Sequence, residues 1–397
     1  MPGFRSAIKN IDWLFILLIS LLLAVNLMLL KSASANVVTG DALYLVKRQL
    51  LWAGVGFALM LAVAFFDYTQ FKRFFWFIYG GSVLLLVAVF FAPAKNDVHR
   101  WFDLGFIDLQ PSELAKIALI IVLACFFVMR WDKIRHWSTL LISGALTILP
   151  MILIFKEPDL GTAVVLFAVF LPMLWMAGVS PKVIGVILLV VVIVLLALFL
   201  VLWGPTAGFT HLPAKEDMPS YLPLEPYQLT RLIIFINPYM DEFDAGYHVI
   251  QSQKAISSGG LFGKGYGQGN FLPEQHSDFI FSVVGEELGF FGAVFVLGLY
   301  LLVLLRALQI ASKSKDLMGN LIVTGAAAMM AFQILVNVGM TVGIMPVTGI
   351  PLPLLSYGGS GMIVNMGVLG LVLAVDIRAK QGLFLEKRAK IWISSNG

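Results

Sequence analysis

The feature that most constrains this chain is a succession of apolar runs, each near twenty residues long. A helix of about that length crosses a bilayer core of about 30 Å. Ten such spans are read at 12–31, 50–66, 74–92, 112–129, 139–155, 161–178, 182–203, 279–305, 319–343 and 361–376. Hydrophobic residues fill 59% of the 397 positions and charged residues only 13%. The mean hydropathy is +0.91. A soluble domain carries roughly twice that charge. The expected fold is therefore all-α, a polytopic integral membrane protein of about ten transmembrane helices.

Composition also excludes some chemistry. The single cysteine, Cys125, lies inside an apolar run, which rules out disulfides and cysteine-based metal sites. The five histidines show no metal-ligand spacing. The net charge of +4 is spread along connecting loops, so nucleic acid is not an expected partner.

An even number of spans leaves both termini on one side. With the N-terminus inside, cytoplasmic segments hold 16 of the 27 basic residues, from Arg5 and Lys9 to Lys387, Arg388 and Lys390. The positive-inside rule favours this orientation. Ala33-Ser-Ala35 after the first span resembles a signal-cleavage site. The apolar core before it, however, exceeds the roughly 7–15 residues of a cleaved signal and reads as a retained anchor. One long extracytoplasmic loop, about 204–278, joins spans seven and eight, and 377–397 form a cytoplasmic tail. Within the loop, Gly204–Pro226 is rich in proline and mixed charge, Gln228–Ile236 predicts a short interfacial helix, and Gly259–Gly269 is glycine-rich. There is no solenoid repeat, and no segment is large enough to fold alone, so 1–397 reads as a single membrane domain.

The exterior polar residues carry the chemistry. Asn270–Gly289 runs from the glycine-rich loop into an apolar helix and sets Glu274, His276, Asp278, Glu286 and Glu287 at the membrane entry. Ionisable groups at that depth are costly to desolvate and usually serve transport, catalysis or headgroup binding. Asp278 has two readings. It is either the N-cap of a helix starting at Phe279, or a general base near a low-dielectric boundary where its pKa can rise. Pro111 suits a first helical turn. Glu113 and Lys116, three residues apart, share a face and can pair. That pair either anchors the span or holds Lys116 ready for an anionic group. Arg48, Arg100 and Arg231 each read singly as headgroup snorkels. Together with Lys116, against the positive-inside trend, they suit a phosphate-bearing substrate, because guanidinium matches phosphate with two parallel hydrogen bonds.

Two glycine- or proline-rich stretches complete the outer side. Gly259–Gly269 has no preceding strand and no G-K-[ST] ending, so flexibility or close approach to a bulky ligand is a better reading than a nucleotide loop. Pro346–Ser360 breaks the helical pattern at membrane depth. Non-helical backbone survives there only when buried in protein or lining a cavity. All these segments can open onto one outward-facing cavity.

Six motifs then carry a family resemblance: Gln110-Pro-Ser-Glu-Leu-Ala-Lys116, Glu157-Pro-Asp-Leu-Gly-Thr162, Gly246-Tyr-His-Val-Ile-Gln-Ser252, Leu272-Pro-Glu-Gln-His-Ser-Asp-Phe-Ile-Phe281, Glu286-Glu-Leu-Gly289 and Pro351-Leu-Pro-Leu-Leu-Ser-Tyr-Gly-Gly-Ser360. In this order, and over nearly the whole chain, they resemble the SEDS family of cell-wall polymerases. The Gly-Tyr-His and Leu-Pro-Glu-Gln-His wording looks more like the family's rod-shape members than its division members. The chain departs from the pattern in a shorter Gly265–Phe271 segment and a longer Gly204–Glu225 segment, both in the long exterior loop, where they bear on acceptor-side geometry.

The resemblance implies a peptidoglycan glycosyltransferase on the outer face of the inner membrane. It polymerises lipid II, an undecaprenyl-linked disaccharide-pentapeptide, for cell elongation. The implied partners are a class B penicillin-binding protein and other elongation-complex membrane proteins. Asp278 is the implied catalytic residue. Arg48, Arg100, Lys116, Arg231 and Gln251 are the implied substrate and pyrophosphate ligands. Gln110, Ser112, Glu113, Glu157, Asp159, His276, Glu286, Ser356 and Ser360 support them. If a divalent cation (Mg²⁺ or Mn²⁺) takes part, Glu113, Asp159 and Asp278 are its candidate ligands; the sequence establishes no cofactor. The rival readings are a lipid II flippase, the division-type paralogue and a non-catalytic scaffold. A flippase needs binding groups reachable from both faces, and the short basic cytoplasmic loops offer no acid–base cluster.

Overall fold

The computed structural model describes residues 10–34, 42–93, 98–105, 108–203, 226–241, 245–269 and 276–396. The Gly204–Glu225 segment, Asn270 and the Leu272–Gln275 part of the fourth motif lie outside the described residues, as do Arg5 and Lys9. Six helices make the first half of the bundle: α1 (Trp13–Ala33), α2 (Ala42–Ala64), α3 (Phe71–Ala88), α4 (Pro111–Met129), α5 (Trp137–Lys156) and α6 (Leu160–Met176). A two-residue antiparallel hairpin precedes α4, with Phe102 opposite Leu109 and Asp103 opposite Asp108. Then follow α7 (Pro181–Trp203), α8 (Pro226–Ile236), α9 (Ala245–Ser258), α10 (Ile280–Lys313), α11 (Leu317–Val342) and α12 (Gly359–Asn396).

Among the described residues nine helices are long and apolar enough to cross a membrane, and the remaining expected span is α6, with 17 residues. All ten expected spans are therefore helices, although their ends differ. The second begins at Ala42 rather than 50, because Lys47, Arg48 and Gln49 ride on its first turns. The amphipathic stretch in the long loop is α8, as its pattern predicts. Aspartates start several helices by accepting backbone N–H bonds at the N-cap: Asp12 from Phe15, Asp159 from Thr162 and Asp316 from Met318 and Gly319.

The centre of the bundle is α4, α11 and α12, whose apolar windows are 78%, 61% and 89% buried, against 0% for the peripheral α7. Ion pairs tie together one end of the bundle. Arg306 of α10 holds the Asp12 carboxylate at 2.6 Å. Lys380 of α12 holds Asp376 at 2.5 Å and the Asn10 carbonyl at 2.9 Å. Arg378 pairs with Asp67.

The other end is built from irregular backbone. Between α11 and α12 the chain is non-helical, and Leu354 adopts a left-handed φ of 66°. Buried side chains from four other elements satisfy its carbonyls. Asn26 of α1 donates to Leu355, Gln49 of α2 to Ser356 at 3.2 Å, Tyr300 of α10 to Pro353, and Asn337 of α11 to Ile350 at 2.8 Å. Left unmade, each would cost about 1–3 kcal/mol. This is how non-helical backbone is accommodated at membrane depth.

The glycine run has a different role from either expected one. Helix α10 is interrupted at Gly289 (φ 67°, ψ −165°), and the glycine run packs against that break. Lys264 and Gly265 donate backbone N–H bonds to Glu286 and Glu287 at 2.9 and 3.1 Å, while Phe290 and Phe291 donate to Gly260 and Leu261 at 2.9 and 3.1 Å. A Cβ on Gly289 would sit 2.2 Å from the Gly263 nitrogen. At Gly259, Gly263 and Gly289 the close approach is of chain to chain.

Candidate active site

The irregular end encloses a cavity of about 620 Å³. The first turns of α2, α4, α6 and α12 reach it, together with the hairpin, α8, the 276–279 turn and the segment before α12. Three arginines line it, Arg48, Arg100 and Arg231, with four carboxylates, Asp108, Glu113, Asp159 and Asp278. Helix N-termini carry partial positive charge, so the ends of α4 and α12 add to an environment that can hold an anion.

Asp278 does not cap the following helix. Helix α10 starts at Ile280, and its N-cap is Phe279, with no side-chain capping bond. Instead, Asp278 lines the cavity beside Arg231. Gly349, in a left-handed conformation (φ 75°), lies against both: a Cβ there would be 3.6 Å from Asp278 Oδ2 and 3.6 Å from Arg231 Nη1. The backbone around Asp278 is also fixed. Its carbonyl accepts from Asn337 at 2.8 Å, and the Ser277 carbonyl accepts from the Ser356 hydroxyl at 2.6 Å.

The expected Glu113–Lys116 pair is present at 2.7 Å and almost wholly buried. Glu113 reaches the cavity and Lys116 sits behind it, outside the lining. Burial of both charges makes the pair sensitive to loss of either partner. Glu113 Oε2 has no hydrogen-bond partner among the described residues. Asp159 is more fully committed. One carboxyl oxygen accepts from the Thr162 N–H at 3.1 Å, and the other accepts from Gln110 at 3.1 Å and the Ser112 hydroxyl at 3.3 Å.

Arg100 lines the cavity and also secures the turn between α5 and α6, donating to the Glu157 carbonyl at 2.6 Å and to the Pro158 carbonyl. Behind it, Glu157 is buried with no hydrogen-bond partner at either carboxyl oxygen among the described residues. Burial, reinforced by the nearby Asp159, pushes its pKa up to about 8 against the opposing pull of Arg100. Arg48 binds the Tyr44 hydroxyl at 3.0 Å. Tyr357 lies edge-on to His276 at 5.9 Å, and burial raises its pKa.

The cavity thus gathers Arg48, Arg100, Arg231, Gln110, Glu113, Asp159, His276, Asp278, Ser356 and Ser360. Glu157, Ser112 and Lys116 stand one layer behind. Gln251, on α9, and Glu286 fall elsewhere. Glu286 turns away to pair with Lys264 at 2.5 Å, and the adjacent Glu287 accepts from the Ser32 hydroxyl, so both carboxylates belong to the glycine-run packing. Among the described residues no three His, Cys, Asp or Glu side chains converge to hold a metal ion. Glu113, Asp159 and Asp278, the candidate cation ligands, all line the cavity, with Asp159 hydrogen-bonded at both oxygens. Sequence reasoning missed Asp108, Asn365 and the supporting amide of Asn337, and placed Gln49 only among the exterior polar residues before the second span. Only the polar interruption of an apolar run could have marked the Asn337 amide.

The FtsW/RodA/SpoVE family profile, described as cell cycle protein, matches residues 12–381. The chain belongs to this family. It is 36% identical to the peptidoglycan glycosyltransferase RodA of Treponema pallidum (strain Nichols), over 94% of this chain and 98% of that one. It is 34% identical to the peptidoglycan glycosyltransferase MrdB of Escherichia coli (strain K12), over 94% and 95%. Among solved structures it resembles a chain of a peptidoglycan synthase complex that coordinates polymerization and crosslinking. There the TM-score is 0.74 and the identity 31%, covering 94% of this family member and 99% of that chain. This family member is a multi-pass membrane protein.

Proposed function

We propose that this protein is a peptidoglycan glycosyltransferase of the cell-elongation type, polymerising lipid II on the outer face of the inner membrane. The observation that carries the reading is the wall where Asp278 and Arg231 both lie against Gly349, in a cavity shared with Arg48 and Arg100. A carboxylate beside clustered guanidinium groups suits a transfer in which a sugar hydroxyl loses a proton and a pyrophosphate leaves. The growing strand, on its undecaprenyl pyrophosphate, is the donor. Asp278 takes the proton from the 4-hydroxyl of the incoming lipid II sugar as that oxygen attacks the donor's anomeric carbon with inversion. Arg48, Arg100 and Arg231 stabilise the charge that develops on the departing pyrophosphate. Glu113 and Lys116 form the buried pair beneath.

The elongation role rests on the relatives named RodA and MrdB and on the motif wording. The similarity to a chain of a synthase complex supports a crosslinking partner, a class B penicillin-binding protein. No step is routed through a metal. The test is gel-resolved polymerisation of labelled lipid II by purified wild type and Asp278→Ala, with the partner present and with and without Mg²⁺ or Mn²⁺. A general base contributes about 10²–10⁴ in rate. The variant is therefore expected to lose at least about 10² of the wild-type rate while remaining folded. Near-normal turnover would remove Asp278 from its role, and a wild type making no glycan would favour transport or scaffolding.

A further inference from the structure

Asn337 is fully buried on α11, in an otherwise apolar stretch. Its side-chain nitrogen donates to two carbonyls at once, Asp278 at 2.8 Å and Ile350 at 2.8 Å. Those carbonyls belong to separate segments, the turn before α10 and the non-helical stretch before α12. The same two segments meet on the cavity side, where Gly349 lies against the Asp278 carboxylate. A primary amide has two N–H donors in one plane and can bridge two acceptors in this way; no aliphatic side chain of that size can.

We infer that Asn337 is a positioning residue for the transfer reaction. By holding the main chain of Asp278 in register with Gly349–Ile350, it aims the carboxylate that the proposed mechanism uses as base. Ser356 runs a second, parallel tie, accepting from the Leu352 N–H at 2.7 Å and donating to the Ser277 carbonyl at 2.6 Å. Adjacent carbonyls at 277 and 278 are thus both fastened to the same segment. Productive geometry must be held within about 0.5 Å, and a displacement of about 1 Å can cost about 10²-fold in rate. A tie at the Asp278 carbonyl oxygen, two bonds from its Cα, is therefore well placed to set turnover. Asn337 itself touches no reacting atom.

This inference rests on the polymerase reading, and the experiment separates the two. Asn337→Leu keeps the approximate shape and removes both donors. Wild type and variant are compared in steady-state polymerisation of labelled lipid II, in H₂O and D₂O, with the folded fraction measured by thermal unfolding. The expected result is a kcat lower by about 10–100-fold per folded molecule, with KM for lipid II within about two-fold. The solvent isotope effect is expected to rise, because proton removal by a misaimed Asp278 becomes the slow step. A packing role alone would reduce the folded fraction and leave kcat per folded molecule and the isotope effect at wild-type values; that result overturns the assignment. If Asn337→Leu does not fold, Asn337→Asp decides. It keeps the shape and offers at most one donor, so a lower kcat at unchanged KM supports the role and a wild-type kcat overturns it. A wild type that makes no glycan would overturn the polymerase reading and this assignment with it. Equal turnover of wild type and variant would overturn this assignment alone.

Discussion

Glu157 shows what a single buried carboxyl does to the molecule's response to pH. Its pKa stands at about 8 against an ordinary 4.5, chiefly because burial penalises the charged form. A group with a raised native pKa holds its proton more tightly folded than unfolded. Between about pH 4.5 and 8 the unfolded chain has released a proton that the native protein keeps, so stability falls as pH rises and levels off above that window. Glu157→Gln removes the titration. Its thermal midpoint should match wild type near pH 4.5 and exceed it by a margin that widens up to pH 8. A constant margin across that range would show that Glu157 is not the titrating group. At this scale the sequence was legible where spacing implied direction. Glu113 and Lys116 pair because three residues bring them to one face. It was not legible for Glu286: the unwound turn at 276–279 breaks the helical phase between Asp278 and Glu286, so proximity in sequence says nothing about shared direction. Nor was it legible for Asn337, where a lone amide among apolar neighbours does not reveal which backbone it will satisfy.

At the level of elements, hydropathy located every span but marked where water begins rather than where a helix ends. Helix α2 starts at Ala42, so its first turns carry Lys47, Arg48 and Gln49; of these Arg48 lines the cavity and Gln49 is fully buried against the Ser356 carbonyl. The glycine run is likewise an element-scale device whose purpose depends on its neighbour. Composition announces freedom of the chain, but only the break in α10 explains its use. Gly289 sits at φ 67° and ψ −165°, a region essentially restricted to glycine, and its Cα lies against the Gly263 nitrogen and the Leu261 carbonyl. Gly289→Ala would add backbone strain of about 1–3 kcal/mol and a clash that no side-chain rotation relieves. The expected outcome is a clearly lower thermal midpoint in detergent and poor recovery of folded protein. Gly298→Ala serves as the control, because a Cβ there would meet nothing within 4 Å. Equal midpoints for the two variants would mean that the break does not depend on glycine.

The whole molecule has two unlike ends. One is closed by the ion pairs Arg306–Asp12, Lys380–Asp376 and Arg378–Asp67; the other opens into the cavity through irregular backbone. The proposed outer-face transferase requires the cavity on the outside and the ion-paired end in the cytoplasm, the orientation that the positive-inside rule favours. The sole cysteine, Cys125, is buried in α4, so the protein offers a quiet background for single-cysteine mapping. Lys133, exposed in the connection after α4, lies at the ion-paired end, and Ser257, exposed on α9, lies at the cavity end. In spheroplasts of an expressing host, a membrane-impermeant maleimide should label Ser257→Cys at once and Lys133→Cys only after permeabilisation. The reverse pattern would place the arginine-lined cavity on the cytoplasmic side. That single result would remove the outer-face polymerase proposal however well Asp278 and its neighbours suit the chemistry.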